Sequence, residues 1–108
     1  MEATLQMPEV DVEGYLVNPA DWNEAVAEEI ARQENIQFTE DHWDVIRFIR
    51  ESYDAHQVIP DARFAIKHLG ERLGKDARKK LFELFPYGYV KQACRIAGMR
   101  RPRAWSTG

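Results

Sequence analysis

The chain has 108 residues, of which 44% are hydrophobic and 31% are charged, and its formal net charge at pH 7 is −3. This length suits one hydrophobic core, and the apolar content excludes an intrinsically disordered chain. The single cysteine, Cys94, excludes an intramolecular disulfide and a cysteine-based zinc cluster.

The acidic amino terminus does not resemble a secretory signal. No apolar run approaches the roughly 20 residues that a membrane-spanning helix needs. We therefore expect one soluble domain over residues 1–108, located in the cytoplasm and not in a membrane.

Charge is distributed unevenly along the chain. Residues 1–60 carry 14 acidic and 3 basic side chains, whereas residues 61–108 carry 4 acidic and 12 basic ones. Such asymmetry indicates either that the two halves attract each other or that the second half meets an anionic partner. Both interpretations stay open at this point.

The first predicted element is a short β-strand or small hairpin over residues 8–17. Val10, Val12, Tyr15 and Val17 alternate with polar residues, and a turn at Glu13-Gly14 separates the two pairs. Pro8 limits how far a ladder of hydrogen bonds could extend towards the amino terminus.

Helical patterns dominate the rest of the chain. Asp21, Thr39 and Asp61 are typical residues at helix starts, and Gly74 is typical of a residue just after a helix. The sequence predicts a small helical bundle, mainly α, followed by an extended and mobile tail at residues 99–108. The five predicted helices span about 22–33, about 40–55, about 61–73, a short stretch between Asp76 and Pro86, and about 88–97.

Most familiar catalytic patterns are missing from the sequence. The three histidines, His42, His56 and His68, lie too far apart in sequence to place two metal ligands on one helical turn. We expect them to be surface or capping residues. No glycine-rich nucleotide loop and no catalytic triad is recognisable, so we predict neither a metal site nor a cofactor.

Residues 39–74 form two predicted helices joined by a short turn, a pattern compatible with a helix-turn-helix. In the second helix we expect the apolar side chains Phe64, Ile66 and Leu69 to face the core. A DNA-binding regulator is therefore one functional hypothesis, although two consecutive amphipathic helices occur in any bundle. The basic side chains expected to face phosphates or bases are Arg63, Lys67 and Arg72.

Cys94 lies in a basic segment, and this leaves two interpretations of the thiol. A cysteine on an alanine-rich helix is commonly a buried small hydrophobic residue. Nearby cations, in contrast, lower the pKa of a thiol and increase the fraction of thiolate, which is the form that attacks or carries sulfur. The cations that surround Cys94 in sequence, and that we consider for partner binding, are Lys91, Arg95, Arg100, Arg101 and Arg103.

The segment FPYGYVKQACRIAGMRRP, residues 85–102, resembles the carboxyl-terminal motif of the DsrC/TusE family of sulfur-relay proteins, also described as gamma subunits of dissimilatory sulfite reductase. The stretches EGYL, DW, TEDHW, FIR and PDAR also resemble family segments in the right order. The resemblance implies an orthogonal helical bundle with an amino-terminal β-hairpin and a flexible carboxyl-terminal arm. It also implies protein partners from a sulfur-transfer or sulfite-reductase-like pathway.

Family members carry sulfur as a persulfide on a cysteine of the arm. Cys94 does not match that arm cysteine but the internal cysteine of the KQAC motif, which precedes it in the chain. The arm cysteine is expected 11 residues further on, where this chain has Trp105. We interpret the chain as a natural variant without the arm thiol in preference to a shortened sequence. If it is active, it is a sulfurtransferase or sulfur carrier that uses Cys94. Otherwise it is a non-catalytic protein that binds partners, which the missing arm cysteine favours, or an accessory protein that transfers nothing.

Overall fold

Helices make up most of the protein in the computed structural model, which describes residues 7–100. A π-helix, Tyr89–Cys94, occupies most of the region of the fifth predicted helix, so this part of the chain contains four α-helices and not five. Short 3-10 helices at Pro19–Asp21 and Gly74–Asp76 precede the first and fourth α-helices. The mainly α class is confirmed. The α-helices are α1 (Glu24–Gln33), α2 (Glu40–His56), α3 (Ala62–Leu73) and α4 (Ala77–Leu84).

Local capping bonds set the helix ends. The Thr39 side chain caps α2 and the Asp61 carboxylate caps α3, both as predicted. Helix α1 begins later than expected, because Asn23 and not Asp21 accepts the hydrogen bond from the backbone N–H of Val26. Asp21 instead belongs to the preceding 3-10 helix.

The predicted β-hairpin at residues 8–17 is wrong. Between residues 7 and 100 the backbone forms no β-strand, and what remains of the hairpin is one isolated antiparallel bridge between Val10 and Leu16. The Asp11 carboxylate accepts hydrogen bonds from the backbone N–H groups of Glu13 and Tyr15. Those donors are thereby engaged in a tight turn and are not available to a ladder between strands.

The carboxyl-terminal segment lies at the centre of the core. From Gly88 to Met99 every residue is buried except Lys91 and Arg95. Val45, Ile46 and Ile49 of α2 belong to the same buried cluster. The boundary predicted for the mobile tail, residue 99, is therefore wrong. Met99 is fully buried, and its N–H donates to the carbonyl of Cys94. Residues 101–108 lie outside the described part.

The face that α3 turns to the core is as predicted for Leu69, which is buried, and for Ile66, which packs against the core. The prediction is wrong for Phe64, which is 54% exposed, and Ala65 is buried in its place. Side chains one residue apart differ by about 100° around a helix, so burying Ala65 turns Phe64 towards solvent.

Gly98 occupies a position that glycine alone can fill. Its φ angle is +79°, and a Cβ atom there would lie 2.4 Å from a ring carbon of Trp22. Gly74 has a similar φ angle, +64°, but a Cβ atom there would meet no heavy atom within 4 Å. The two glycines therefore separate backbone strain from steric overlap.

We expect Gly98→Ala to lower the free energy of unfolding by about 3 kcal/mol or more, through left-handed backbone strain plus overpacking. Gly74→Ala, where a ψ angle of −137° adds to the positive φ but no atom is in the way, should cost about 1–3 kcal/mol through backbone strain alone. Urea denaturation of both variants measures the difference. Equal losses would show that the contact with Trp22 relaxes freely.

His42 joins the start of α2 to the end of α4. Its Nδ1 accepts the backbone N–H of Thr39 at 3.0 Å, and its Nε2 lies 2.9 Å from the carbonyl oxygen of Leu84. A neutral ring with its proton on Nε2 satisfies both bonds. Burial lowers the pKa of His42, partly offset by the hydrogen bond to Leu84. His42 is thus a capping histidine, as expected, and it is also buried.

Because the folded-state pKa of His42 is lowered, the unfolded chain binds the proton more readily. Above about pH 6.5, the ordinary pKa of histidine, the neutral ring makes its full contribution to the free energy of unfolding. This contribution is lost as the pH falls towards the folded-state pKa of His42. We expect the melting temperature to fall between pH 7.5 and pH 5.5. His42→Gln, which preserves the capping pattern, should reduce this pH dependence, and an unchanged dependence would assign it to other groups.

Candidate functional site

Cys94 is the last residue of the π-helix and is completely buried. The turn begins after Gly88, whose φ angle of 115° suits glycine. π-Helical turns are rare in proteins, and those that occur are often found at functional sites. The geometry therefore places the thiol at an unusual piece of backbone in the middle of the core.

Side chains from distant parts of the chain hydrogen-bond the backbone around the π-helix. The Tyr15 hydroxyl donates to the carbonyl of Val90 at 3.2 Å. The Trp22 indole N–H donates to the carbonyl of Ile96 at 2.8 Å. The guanidinium of Arg50, in α2, donates to the carbonyl of Ala97 at 3.0 Å and stacks over the Trp22 ring. These bonds tie three distant parts of the chain to the segment between Val90 and Ala97.

Tyr89, at the start of the π-helix, is hydrogen-bonded to the loop before α3. Its hydroxyl donates to the Pro60 carbonyl at 2.6 Å. Burial raises the pKa of the Cys94 thiol well above its usual range, and the Tyr89 side chain offsets this only in part. Burial raises the pKa of the Tyr89 phenol as well. In the folded protein Cys94 is a neutral thiol.

The described cations near Cys94 in sequence are directed away from the thiol. Lys91 and Arg100 are exposed, and Arg95 forms an ion pair with Glu34. Because burial raises the pKa of the thiol, the folded state favours the interpretation of Cys94 as a buried small residue. Two further residues assigned to the basic arm lie outside the described residues, namely Arg101 and Arg103.

Sequence reasoning assigned no role to Gln92, whose side chain is completely buried. Its amide nitrogen donates to a Glu34 carboxylate oxygen at 3.0 Å, and its amide oxygen accepts the backbone N–H of Tyr87 at 3.0 Å. Arg95 pairs with the other oxygen of Glu34. One carboxylate after α1 thus holds two side chains that flank Cys94. The signal in the sequence that could have indicated this role was the polar amide of Gln92 in a mostly apolar stretch.

The basic face predicted on α3 is largely neutralised within the protein. Arg63 pairs with Asp61 at 2.7 Å, and Arg72 pairs with Asp41 at 2.9 Å and Asp44 at 2.8 Å. Of the three cations predicted for this face, Lys67 is exposed and has no ion pair among the described residues. The α2–α3 pair therefore presents mixed charge where a DNA-binding helix needs a basic face.

Neither a metal site nor a membrane span is found among residues 7–100. No group of three or more histidine, cysteine, aspartate or glutamate side chains there could hold a metal ion. No helix in the same part of the chain is both long and apolar enough to cross a bilayer.

These features define a class of protein: a small, mainly helical domain that holds one buried thiol on a π-helix. The family model described as "DsrC like protein" matches residues 2–104, and the chain belongs to that family.

Curated relatives and solved structures agree with this assignment. Sulfurtransferase TusE of Photorhabdus laumondii is 45% identical, over 87% of this chain and 86% of the relative. Sulfurtransferase TusE of Buchnera aphidicola from Acyrthosiphon pisum is also 45% identical, over 92% and 89% of the two chains. The oxidised gamma subunit of dissimilatory sulfite reductase, DsrC, from Archaeoglobus fulgidus superposes with a TM-score of 0.81 at 34% identity, covering 91% of each chain. DsrC from Allochromatium vinosum gives 0.78 at 48% identity, covering 89% and 88%.

We expect Glu34→Ala to destabilise the protein by about 2–4 kcal/mol, because it leaves the buried amide of Gln92 and the guanidinium of Arg95 without their shared acceptor. Glu29→Ala is the matched control, since it removes a glutamate of α1 whose partner Arg32 is exposed. Urea denaturation should show little change for the control. A similarly small effect at Glu34 would mean that water replaces the carboxylate.

Proposed function

We propose that this protein acts in sulfur relay, with Cys94 as its sulfur-handling thiol and with proteins of a sulfur-transfer or sulfite-reductase-like pathway as partners. Membership of the DsrC-like family supports the pathway, and relatives at 45% identity carry the name sulfurtransferase. The observation that supports the role of Cys94 is its position at the end of a π-helix, in which the carbonyl of Val90 accepts a hydrogen bond from the distant Tyr15. The location in the cytoplasm stays a prediction.

The chemistry required of Cys94 is a thiol–persulfide exchange. The Cys94 thiolate attacks the outer sulfur of a donor persulfide, a new S–S bond forms at Cys94, and the donor leaves as a thiolate. No external oxidant or reductant is needed, because the outer sulfur only changes its partner. A neutral, buried thiol does not perform this attack, so transfer requires that Cys94 become accessible.

We also propose that partners dock beside the segment that contains Cys94. Lys91 lies on the π-helix between buried neighbours and is exposed, and Arg100 is exposed just after the buried Met99. These cations suit an acidic partner surface. Arg101 and Arg103 lie outside the described residues and stay predicted contacts for a partner.

A second function is favoured by one observation, the complete burial of Cys94. In that case the protein binds the same partners without carrying sulfur, as an accessory or regulatory relative. The DNA-binding alternative gains no comparable support, because two of its three proposed cations are paired with carboxylates.

Incubation of the full chain with a persulfide donor, followed by mass spectrometry of the intact protein, tests sulfur handling. We expect the wild type to gain one sulfur atom and Cys94→Ser to gain none. A two-cysteine DsrC-like relative, loaded in parallel, shows that the donor is active. If the relative gains sulfur and the wild type does not, the accessory role replaces the carrier role.

A further inference from the structure

Helix α4 has an inner face that packs in the core and an outer face that is exposed. The buried residues that anchor the inner face are Ala77, Leu81 and Leu84. The outer face consists of Arg78, Lys79 and Phe82, and Phe82 is 54% exposed. Residues three and four positions apart lie on the same side of an α-helix, so both cations lie beside Phe82. The outer face therefore combines positive charge with an exposed aromatic ring.

The two cations of the outer face have no carboxylate partner within the described chain. Lys80, the next residue, pairs with Asp41 at 3.4 Å, but neither Arg78 nor Lys79 forms an ion pair among residues 7–100. A single exposed phenylalanine is ordinary on a protein surface. Aromatic residues and arginine together are instead enriched where proteins bind each other. The composition of the outer face is thus that of an interface.

The chain that joins α4 to the π-helix is fixed by hydrogen bonds. The amide oxygen of Gln92 accepts the backbone N–H of Tyr87 at 3.0 Å, and the N–H of Gly88 donates to the carbonyl of Phe85 at 3.0 Å. Phe85 is buried, whereas Tyr87 is 74% exposed. A partner on α4 is therefore held in a defined position relative to the segment with Cys94.

The charges around the outer face determine which anionic partner it fits. Asp76, just before α4, and Glu83, in its last turn, are both exposed. A phosphate backbone carries charge at regular intervals and would meet these carboxylates as well as the cations. A protein can place its own carboxylates opposite Arg78 and Lys79 alone, with an apolar side chain against Phe82. The face therefore fits an acidic protein segment better than a nucleic acid.

We propose that the outer face of α4 binds an acidic segment of a partner protein that also carries apolar side chains. In the complex an apolar side chain of the partner covers Phe82, and carboxylates of the partner pair with Arg78 and Lys79. The proposal rests on partner binding in the proposed function, and it adds a second contact surface to the one at Lys91 and Arg100.

The test is the fluorescence anisotropy of a labelled peptide composed of glutamate and leucine, titrated with the full chain. We expect Phe82→Ala to raise the Kd about five- to tenfold, because the apolar contact is lost. We expect Arg78→Glu to raise it about tenfold through repulsion. A peptide of glutamate and serine, which offers no apolar side chain, should bind the wild type more weakly and should not respond to Phe82→Ala.

Phe64→Ala is the matched control. Phe64 lies on α3 and is also 54% exposed, but its neighbour Arg63 is paired with Asp61. We expect this variant to bind the glutamate–leucine peptide like the wild type. Arg78→Glu keeps the proposal falsifiable if Phe82→Ala does not fold.

Four results overturn the proposal. The first is one common Kd for the wild type and the variants Phe82→Ala and Arg78→Glu, and the second is an equal loss of binding in Phe64→Ala and Phe82→Ala. The third is a DNA duplex that binds more tightly than the peptide and is weakened by the same variants. The fourth is sedimentation of the wild type as a dimer that Phe82→Ala dissociates, because a second copy of the chain then covers the face.

Peptide binding needs no persulfide, so the outcome is separate from that of the sulfur-loading experiment. If the variants weaken peptide binding while the wild type gains no sulfur, sulfur carriage fails and the docking surface on α4 stands. If sulfur is loaded while Phe82→Ala and Arg78→Glu bind the peptide like the wild type, sulfur handling stands and the docking surface fails.

Discussion

Three backbone carbonyl groups between Val90 and Ala97 accept hydrogen bonds from side chains far away in the chain, and these bonds tie the segment with the thiol to the rest of the molecule. Tyr15 reaches them from the amino-terminal turn, Trp22 from the segment before α1, and Arg50 from α2. Buried carbonyl groups without partners are costly, so these three donors join the two ends of the chain around one irregular turn. The segment with the thiol thereby becomes the centre of the core.

At Cys94, two opposing effects act on the thiol and burial prevails. The nearby cations, which would favour a thiolate, are directed elsewhere: Arg95 to the Glu34 carboxylate, and Lys91 to solvent. The cost of placing a charge in an apolar environment then determines the protonation state. For a family associated with sulfur transfer, this means that the folded protein protects its thiol, and that reactivity depends on a conformational change.

Part of the uneven charge distribution is used inside the molecule. Asp41 and Asp44 of α2 pair with Arg72 of α3, Lys80 of α4 pairs with Asp41, and Glu34 pairs with Arg95. Exposed ion pairs add little stability, so these contacts chiefly orient the basic second half against the acidic first half. Other cations of the second half, Lys91 and Arg100 among them, are exposed.

The sequence by itself determined the helical class, the starts of α2 and α3 at Thr39 and Asp61, and the family through the motif around Cys94. Capping depends on residues three positions apart and a motif on its own letters, so both are visible locally. The tertiary structure alone decided that residues 89–94 form a π-helix, that residues 8–17 form a turn and not a hairpin, and that Cys94 is neutral. The turn depends on the hydrogen bonds that the Asp11 carboxylate accepts. The surroundings of the π-helix and of the thiol depend on contacts between residues far apart in sequence, such as Tyr15 with Val90 or Tyr89 with Pro60. Neither spacing nor composition encodes such contacts, because they exist only once the chain has packed.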